Sequence, residues 1–376
     1  MNNTNSSSSI ELGLPPLHLF YFPPTQPQKT GIPLPPTIPT TSKFLRPVSI
    51  NSTIFDISLD LQFPLTFAVL YLSAVVLLNR INASRQYRPW GFSKKPTFRA
   101  FVVVHNALLA LFSAWTFFGI CHALKNCWPG QGPNYYTHIA EVICETDSKA
   151  ASCESSQYTT TNYPMMTKLT DLVVLASANV NTVWEEGSAY IGWIFYMSKF
   201  YEVLDTMVIL ARGKKSSLLQ TYHHAGVMLC GWASLKYESP ALLVGIVLNS
   251  GIHTLMYSYF TLQSLGFAIP MTIKRSLTSL QIAQFLAGFV WGYAYFFVKY
   301  TVPFDAAVSQ TAGASSHGDY GVSAIDGAEE MGYGRVVSCL SDSGEAFTIL
   351  LTTAYVLPLL LLFVRFFIAS YSKSKT

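Results

Sequence analysis

Charged residues are scarce in this sequence. Only 12% of its 376 residues are Asp, Glu, Lys or Arg, whereas 50% are hydrophobic. A soluble protein carries about twice that charged fraction. The composition therefore predicts an integral membrane protein, and a nucleic-acid partner is not indicated.

Metal-binding cysteine motifs are also absent. The six cysteines, at positions 121, 127, 144, 153, 230 and 339, form no CxxC pair and no Cys/His pattern with zinc spacing. The amino terminus lacks a basic stretch that leads directly into an apolar core. We therefore predict neither a metal site nor a secretory signal peptide.

The first 60 residues offer few side chains for a core. They are rich in Asn and Ser and then in Pro, a composition typical of disordered segments. The sequence therefore predicts a disordered extension over 1–60, a membrane domain over 61–371 and a short tail over 372–376.

Seven apolar segments are long enough to cross a bilayer, which predicts an all-α membrane protein with seven transmembrane helices. The segments cover about 61–79, 100–121, 190–211, 217–235, 240–262, 276–298 and 346–370. The loops 80–99, 212–216 and 263–275 are basic, and the alternate loops 122–189 and 299–345 are acidic on balance. By the positive-inside rule, the basic loops and the carboxy terminus are cytosolic and the amino terminus lies on the far side.

Four cysteines fall in the predicted far-side loops, where disulfides can form. A bridge from the 122–189 loop to Cys339 would tie the second connection to the sixth. The sequence leaves the partner of Cys339 open, and it also leaves open that all four are free thiols.

Ionisable residues interrupt the apolar segment 190–211. A charge at the centre of a bilayer costs about 2.5–3.5 kcal/mol, and intramembrane charges usually mark a functional path. On a helix, Lys199, Glu202 and Thr206 share one stripe, and Asp205 lies beside them. The stripe predicts a functional site, with a structural ion pair between helices as the alternative.

Four other predicted spans carry polar residues on one face. These are His105 and Asn106; Gln220, His223 and His224; Asn249, His253 and Tyr257; and Lys274, Thr278, Gln281 and Gln284. Leaving so many polar groups in lipid is expensive, so the five helices should turn these faces toward a shared interior cavity.

Basic residues gather at the predicted cytosolic mouth of this cavity. They are Arg212, Lys214, Lys215, Lys274 and Arg275. A cationic mouth above an apolar tunnel suits a ligand with phosphates at one end and a hydrocarbon tail at the other, such as an acyl-CoA. Ordinary topology signals are the alternative explanation for these residues.

Several motifs, in this order and spacing, resemble those of the ELO family of fatty acid elongases, the 3-oxoacyl-CoA synthases of the endoplasmic reticulum. They are KFYEVLDT (199–206), QTYHH (220–224), NSGIHTLMYSYF (249–260) and TSLQIAQF (278–285), and the HN pair at 105–106 also fits. The resemblance covers about residues 61–371. It implies a multi-pass enzyme of the endoplasmic reticulum membrane whose helices 2–7 surround a narrow acyl tunnel.

The resemblance implies a decarboxylative condensation of a long-chain acyl-CoA with malonyl-CoA. The product is a 3-oxoacyl-CoA longer by two carbons, and carbon dioxide and CoA are released. No tightly bound cofactor and no metal are implied. The implied partners are membrane lipids, a ketoacyl reductase, a dehydratase and an enoyl reductase, with a homodimer as a further possibility.

Roles for single residues follow from the same resemblance. Catalysis is assigned to Gln220, His223, His224 and His253, with His223 as the acyl acceptor or the base. Contacts to substrate and CoA are expected from Lys199, Arg212, Lys214, Lys215, Asn249, Tyr257, Lys274, Thr278 and Gln281. Supporting roles are expected for His105, Asn106, Glu202, Asp205, Thr206 and Gln284.

The chain departs from the family pattern in three places. Gln220 occupies the first position of the HxxHH histidine box, which resembles the subclass that acts on polyunsaturated C18 acyl chains, including the Δ9-type elongases. The 299–345 loop is long and rich in Gly, Ala and Ser, so a flexible far-side insertion is expected. Lys373 and Lys375 are offset from the usual dilysine retrieval spacing.

Two other functions remain open from the sequence. A membrane di-iron desaturase or hydroxylase would explain the paired histidines, but such a site needs roughly eight histidines, and only 105, 223, 224 and 253 lie within spans and away from their far-side ends. A seven-span lipid receptor or transporter would explain the topology but not the histidine pair beside a basic mouth.

Overall fold

The protein is mostly helical. The computed structural model describes residues 10–25, 50–132, 134–144, 183–303 and 334–371. The helices are α1 Ser52–Ser58, α2 Gln62–Ser84, α3 Pro96–Asn126, α4 Tyr135–Cys144, α5 Ala189–Tyr201, α6 Leu204–Ala211, α7 Leu218–Lys236, α8 Ala241–Leu265, α9 Met271–Phe297 and α10 Ser343–Tyr371. The strands are β1 Ile10–Leu12, β2 Val298–Pro303 and β3 Gly334–Ser338, and short turns of other helix types cover Leu17–Phe20, Gly91–Lys94 and Trp184–Ser188.

Within the described residues, five helices are long and apolar enough to cross a membrane. They are α2, α3, α8, α9 and α10. The multi-pass membrane character predicted from the composition is therefore confirmed, whereas the count of seven spans stays a prediction. The other two predicted spans correspond to the α5–α6 pair and to α7.

The predicted span over 190–211 is two helices. α5 ends at Tyr201 and α6 begins at Leu204. At the junction the N–H of Asp205 donates to the carbonyl of Glu202, and the N–H of Thr206 donates to the carbonyl of Val203, both at 3.0 Å. These bonds span three residues, as in a 3₁₀ turn, so the junction is tighter than an α-helix.

A small antiparallel sheet interrupts the predicted all-α architecture. Its order is β1-β2-β3, and Tyr300 on β2 lies opposite Ile10 on one side and Val337 on the other. β2 follows directly from α9, and β3 ends five residues before α10. The sheet therefore covers one end of the helical bundle, opposite the basic loops.

The sheet end of the bundle is tied by a disulfide. Cys144 at the end of α4 is bonded to Cys339, which follows β3. The predicted link between the 122–189 loop and Cys339 is therefore confirmed, and Cys144 is the partner that the sequence left open. Within the described ranges, the free thiols are those of Cys121 and Cys230.

Two predicted flexible regions contain ordered structure. The extension over 1–60 was expected to be disordered, but residues 10–25 contain β1 and a 3₁₀ turn, and α1 covers Ser52–Ser58. The predicted insertion over 299–345 likewise contributes β2, β3 and the start of α10. Residues 1–9, 26–49, 304–333 and the 372–376 tail lie outside the described residues.

The main apolar core lies among α2, α5, α7 and α8. Ile191, Tyr196, Met228, Leu235 and Ile246 are nearly inaccessible to solvent within it. Buried aromatic side chains need partners for their polar atoms. Accordingly, the Tyr196 hydroxyl donates to the carbonyl of Ser58 at 2.9 Å. This core fixes α5 and α7, the two helices that carry the Lys199 stripe and the paired histidines.

A glycine turn leads from α6 into the basic segment before α7. Gly213 has φ +75°, and a Cβ added there would lie 2.6 Å from the carbonyl oxygen of Tyr87. The Asn82 amide anchors the same turn through a 2.8 Å hydrogen bond to the carbonyl of Leu210. Only glycine fits both the left-handed backbone and the close approach of the neighbouring loop.

Replacing Gly213 by Ala should therefore destabilise the protein by more than the left-handed backbone alone explains. Gly266, at the end of α8, is the matched control, because it has φ +97° but no described residue within 4 Å of an added Cβ. We expect Gly266→Ala to cost about 1–2 kcal/mol and Gly213→Ala to lower the melting temperature of the detergent-solubilised protein further. Equal melting temperatures for the two variants would contradict the close contact with Tyr87.

Candidate active site

A buried ion pair organises the centre of the site. Lys199 at the end of α5 and Glu202 in the α5–α6 junction are each only 2% exposed, and the Lys199 ammonium donates to Glu202 Oε1 at 2.7 Å. A second N–H of Lys199 donates to Asn249 Oδ1 on α8 at 3.2 Å. The ammonium also lies 4.0 Å from the ring centroid of Phe195. The stripe predicted from the sequence therefore connects α5 to α8.

The ion pair determines how His253 is protonated. Lysine can only donate, so its bond to Oδ1 fixes the Asn249 amide and leaves Nδ2 to donate to His253 Nε2 at 3.3 Å. Nε2 must then be the acceptor, which places the proton of a neutral ring on Nδ1. That nitrogen lies 3.9 Å from Glu202 Oε2. His253 Nδ1 thus faces a carboxylate at a distance too long for a hydrogen bond, and neither atom has a hydrogen-bond partner among the described residues.

A second polar cluster lies next to the first. Asp205 on α6 accepts a hydrogen bond from Tyr257 at 2.7 Å, and its other oxygen contacts His105 Nε2 at 2.8 Å. The other ring nitrogen of His105 contacts the Tyr201 hydroxyl at 3.1 Å. The sequence predicts that Tyr257 orients substrate oxygens. In the structure, its hydroxyl already donates its hydrogen bond to Asp205. This cluster joins α3, α6 and α8.

His223 on α7 is bound by a tyrosine of the last helix. His223 Nδ1 and the Tyr355 hydroxyl are 2.7 Å apart, and the same hydroxyl donates to the backbone carbonyl of His223 at 3.1 Å. One arrangement makes both bonds, in which Nδ1–H donates to the tyrosine oxygen and the tyrosine O–H donates to the carbonyl. The reverse arrangement makes only one of them and forgoes about 1 kcal/mol. The geometry therefore favours a His223 with a proton on Nδ1, which in the neutral ring leaves the lone pair of Nε2 free.

A glycine makes this contact possible. A Cβ added at Gly226, one turn along α7 from His223, would overlap the ring of Tyr355. The ring also stacks on Tyr222 with the centroids 5.6 Å apart, and the Tyr222 hydroxyl donates to the carbonyl of Tyr355 at 3.1 Å. Tyr355 is consequently fixed on both sides, and α10 is held close to the histidine box.

The remaining histidine of the box is bound by Gln220. The Gln220 amide nitrogen lies 2.8 Å from His224 Nε2, one turn away on α7. As a donor, the amide occupies the lone pair of Nε2 and places the ring proton on Nδ1. His224 Nδ1 is buried and makes no hydrogen bond within the described part of the chain. Gln220, which replaces the first histidine of HxxHH, therefore still supplies a hydrogen-bond partner for His224.

The three histidines form one group with different capacities. The ring centroid of His223 lies 5.3 Å from that of His224 and 6.5 Å from that of His253. The Nε2 lone pairs of His224 and His253 are both occupied by amides. In the described ranges, no hydrogen bond involves Nε2 of His223. His223 is thus the member of the group that offers a basic nitrogen to a ligand.

An apolar cavity of about 200 Å³ begins beside His223. Lys199, His223, Asn249 and Tyr355 line it at one end, and Ser234, Ala241, Tyr295 and Ile349 line it at the other. Along α7, His223 and Ser234 are eleven residues apart, which corresponds to about 16 Å. His253 does not line the cavity but lies behind His223. The predicted convergence of polar faces on one void is therefore observed for Lys199, His223 and Asn249.

Other predicted site residues lie farther from the cavity. The Thr206 hydroxyl is 2.9 Å from that of Tyr71, Asn106 donates to the carbonyl of Val102 in its own helix, and Thr278 donates to that of Lys274. Gln281 donates to the Met256 sulfur at 3.3 Å. These contacts hold helices together or satisfy backbone groups.

Gln284 and the basic residues differ from this group. Gln284 lines the cavity, and its buried Oε1 has no hydrogen-bond partner among the described residues. Arg212, Lys214 and Lys215 are exposed, and Lys274 is half-buried. The basic residues do not line the cavity, so they form a separate surface at the end of the bundle nearest His223.

Tyr355 is the residue that sequence reasoning missed. It lies in the apolar run of the last span, where a lone tyrosine has no polar neighbours at i±3 or i±4 other than Thr352. The available signal was indirect: two threonines precede it, and the facing helix carries Gly226 one turn from the histidine pair. Neither pattern is specific without the three-dimensional structure.

The fold and the site define a polytopic helical membrane protein with a histidine cluster at one end of an apolar cavity. The family model described as "ELO: GNS1/SUR4 family" matches residues 57–376. The chain belongs to this family.

Several curated relatives are similar to parts of the chain. "Putative fatty acid elongase 3" of Caenorhabditis elegans is 27% identical over 235 residues, which are 62% of this chain and 59% of that protein. "Fatty acid elongase 2" of Trypanosoma brucei brucei is 32% identical over 30% of this chain and 42% of its own length. "Very long chain fatty acid elongase 6" of Homo sapiens is 35% identical over 29% and 41%. The matches span 59% or less of these relatives, and no solved structure matches the chain.

The buried ion pair should be far more costly to break than to replace. We expect Lys199→Met to destabilise the protein by about 3–5 kcal/mol, because Glu202 would remain as an uncompensated buried charge. The double variant Lys199→Met with Glu202→Gln should recover most of that loss. Thermal unfolding of the solubilised protein measures both, with the exposed Lys214→Met as the control. A double variant less stable than Lys199→Met would contradict the pairing.

Proposed function

We propose that this protein is a fatty acid elongase that condenses a long-chain acyl-CoA with malonyl-CoA to a 3-oxoacyl-CoA. The observation that carries the proposal is the free Nε2 of His223 at the end of an apolar cavity. A neutral imidazole in a water-poor site is a competent nucleophile or base. The names of the relatives, all of them elongases, support the same reaction.

In the proposed first half-reaction, His223 accepts the acyl group. Its Nε2 lone pair attacks the thioester carbonyl carbon, the carbon–sulfur bond breaks, and CoA leaves as the thiolate with the bonding pair. The ring keeps the proton on Nδ1 and becomes a cationic acyl-imidazole. The Tyr355 oxygen accepts the hydrogen bond from that N–H, and charge-assisted hydrogen bonds are the stronger kind.

In the proposed second half-reaction, malonyl-CoA supplies the new carbons. Loss of carbon dioxide leaves the electron pair of the broken carbon–carbon bond as an enolate. The enolate attacks the acyl carbon, and His223 leaves as neutral imidazole. The ring centroids of His224 and His253 lie 5.3 and 6.5 Å from that of His223. The proposed role of His253 is to order the site, and that of His224, whose Nδ1 has no hydrogen-bond partner among the described residues, is to donate to developing negative charge.

The two ends of the substrate are proposed to occupy different surroundings. The apolar cavity suits the hydrocarbon tail. With the tail in the cavity, the thioester lies beside His223. The exposed cations Arg212, Lys214 and Lys215 lie just before α7, on the His223 side of the bundle. They suit the phosphates of CoA because cations bind phosphate groups strongly.

The substrate subclass is a finer proposal. Gln220 replaces the first histidine of the box, which by resemblance favours polyunsaturated C18 acyl chains. The amide donates to His224 without the titratable proton that a histidine would bring. Expression in yeast fed different fatty acids, with gas chromatography of the products, tests this preference.

The proposed setting is the endoplasmic reticulum membrane, with seven spans, the basic end in the cytosol and the amino terminus in the lumen. The basic loops support this orientation. α7 has 19 residues and α5 with α6 runs over 189–211, lengths of about 28 and 34 Å that suffice for a bilayer. The reductases and dehydratase of an elongation cycle, and a second copy of the chain, are proposed partners through the family alone.

The reaction is tested directly with the purified protein. Labelled malonyl-CoA should be incorporated into 3-oxoacyl-CoA in the presence of long-chain acyl-CoA, with one carbon dioxide released per product. A receptor or transporter would bind the acyl-CoA without this turnover. Absence of incorporation with saturated and unsaturated chains alike would refute the proposal.

His223→Ala should abolish incorporation while the protein remains folded, because the free imidazole nitrogen is removed. His122→Ala is the matched control, since His122 is exposed on α3 and should leave turnover unchanged. Activity and melting temperature are measured together. Turnover of His223→Ala within threefold of the wild type would remove His223 from the reaction.

Tyr355→Phe should lower kcat by about 10- to 100-fold, which corresponds to about 1.4–2.7 kcal/mol of activation energy, and leave the KM for acyl-CoA nearly unchanged. The ring remains, but the partner that holds Nδ1–H is lost, so His223 can rotate or change tautomer. Tyr136→Phe is the control, because it removes the hydroxyl of an exposed tyrosine on α4, away from His223 and Tyr355. A raised KM with an unchanged kcat would show that Tyr355 contacts the substrate instead.

A further inference from the structure

The segment 10–25, here called the N-terminal strap, lies outside the family match yet docks onto the family domain. The match begins at residue 57. β1 pairs with β2 over Ile10–Leu12, and the N–H of Gly13 donates to the carbonyl of Phe297 at 2.9 Å. At its other end, Thr25 donates its N–H to the Ser343 hydroxyl at 2.9 Å. The strap is thus attached at the end of α9 and at the start of α10.

Between these attachments, the strap inserts one apolar side chain into the protein. Leu19 is 2% exposed, whereas Leu17, in the same 3₁₀ turn, is 79% exposed. The ring of Phe20 stacks on Phe296 with the planes 3° apart. Fully burying a leucine contributes about 1.5–3 kcal/mol, so this turn is docked by its own packing as well as by the sheet.

Leu19 belongs to the same apolar cluster as the wall of the cavity. That cluster includes Tyr295 and Ile349, and Ala241 and Val244 pack against it. All four of these residues also line the cavity, at the end away from His223. Leu19 does not itself line the cavity, but it packs in the same cluster of side chains as Tyr295 and Ile349, which do.

We propose that the N-terminal strap closes the far end of the acyl cavity, and that Leu19 is a specificity-determining residue that limits the length of the acyl chain. The inference rests on the proposed function in that the cavity holds an acyl tail. Closely packed side chains transmit a change of volume to their neighbours. A smaller residue at position 19 lets Tyr295 and Ile349 move outward, which deepens the cavity by the space of the lost methyl groups.

The test compares Leu19→Ala with Leu17→Ala, two identical changes that differ only in burial. Binding is read as the rise in melting temperature that saturating acyl-CoAs of C14 to C24 produce, a measurement that needs no turnover. We expect the chain length of greatest stabilisation to increase by two to four carbons in Leu19→Ala and to stay at the wild-type value in Leu17→Ala. In elongation assays, the yield of the longest product should rise at least fivefold in Leu19→Ala alone.

The outcomes separate this inference from the proposed function. A shift in the binding optimum without elongation in any variant supports the strap and refutes the reaction. Elongation with identical length profiles in all three proteins refutes the strap and leaves the reaction intact. If Leu19→Ala does not fold, Leu19→Val, which removes one methylene, takes its place. Absence of stabilisation at every chain length would refute the strap as well, because the cavity would then hold no acyl tail.

Discussion

The cost of burying Lys199 and Glu202 constrains the rest of the structure. Each is almost inaccessible in an apolar bundle, and removing one partner of such a pair is strongly destabilising. The pair must be satisfied by further polar groups, and Asn249 on α8 provides one of them. Because lysine can only donate, this single bond sets the orientation of the Asn249 amide and, through it, the tautomer of His253. The Lys199–Glu202 ion pair, which stands out in a sequence with few charges, therefore determines the hydrogen-bond pattern around His253.

Tyr355 sets the tautomer of His223, as Asn249 sets that of His253. In both cases a hydrogen bond to one ring nitrogen decides what the other nitrogen offers. Asn249 occupies the Nε2 lone pair of His253, whereas Tyr355 accepts a hydrogen bond from Nδ1–H of His223 and leaves its Nε2 free. Two chemically identical side chains thus acquire different capacities from their neighbours. The difference supports assigning the reacting nitrogen to His223 and an ordering role to His253.

Helical periodicity predicted the polar faces well because those faces depend on local geometry. Lys199 with Glu202, Asn249 with His253, and Gln220 with His224 are three or four residues apart in sequence, and each pair meets in space. Contacts between distant segments could not be predicted. Tyr355 reaches His223 across 132 residues, and β1 pairs with β2 across about 290. The Pro-rich composition around the strap predicts disorder. The strap is ordered because it packs against residues at the other end of the chain, and composition alone does not reveal those partners. Similarly, Glu202 and Val203 have ordinary helix-forming neighbours, so nothing local indicated the junction between α5 and α6.

That junction has a geometric consequence for the site. α5 and α8 both run from the sheet end toward the basic end, so Lys199, Glu202 and Asp205 lie beside Asn249, His253 and Tyr257 in the same order. The first series spans six residues, about 9 Å of α-helix, and the second spans eight, about 12 Å. A 3₁₀ turn rises about 2.0 Å per residue instead of 1.5 Å. The tight bonds at Glu202 and Val203 therefore lengthen the shorter series by about 1–2 Å. The tight turn therefore brings the two series closer in length, with Asp205 hydrogen-bonded to Tyr257 and Glu202 Oε2 3.9 Å from His253 Nδ1.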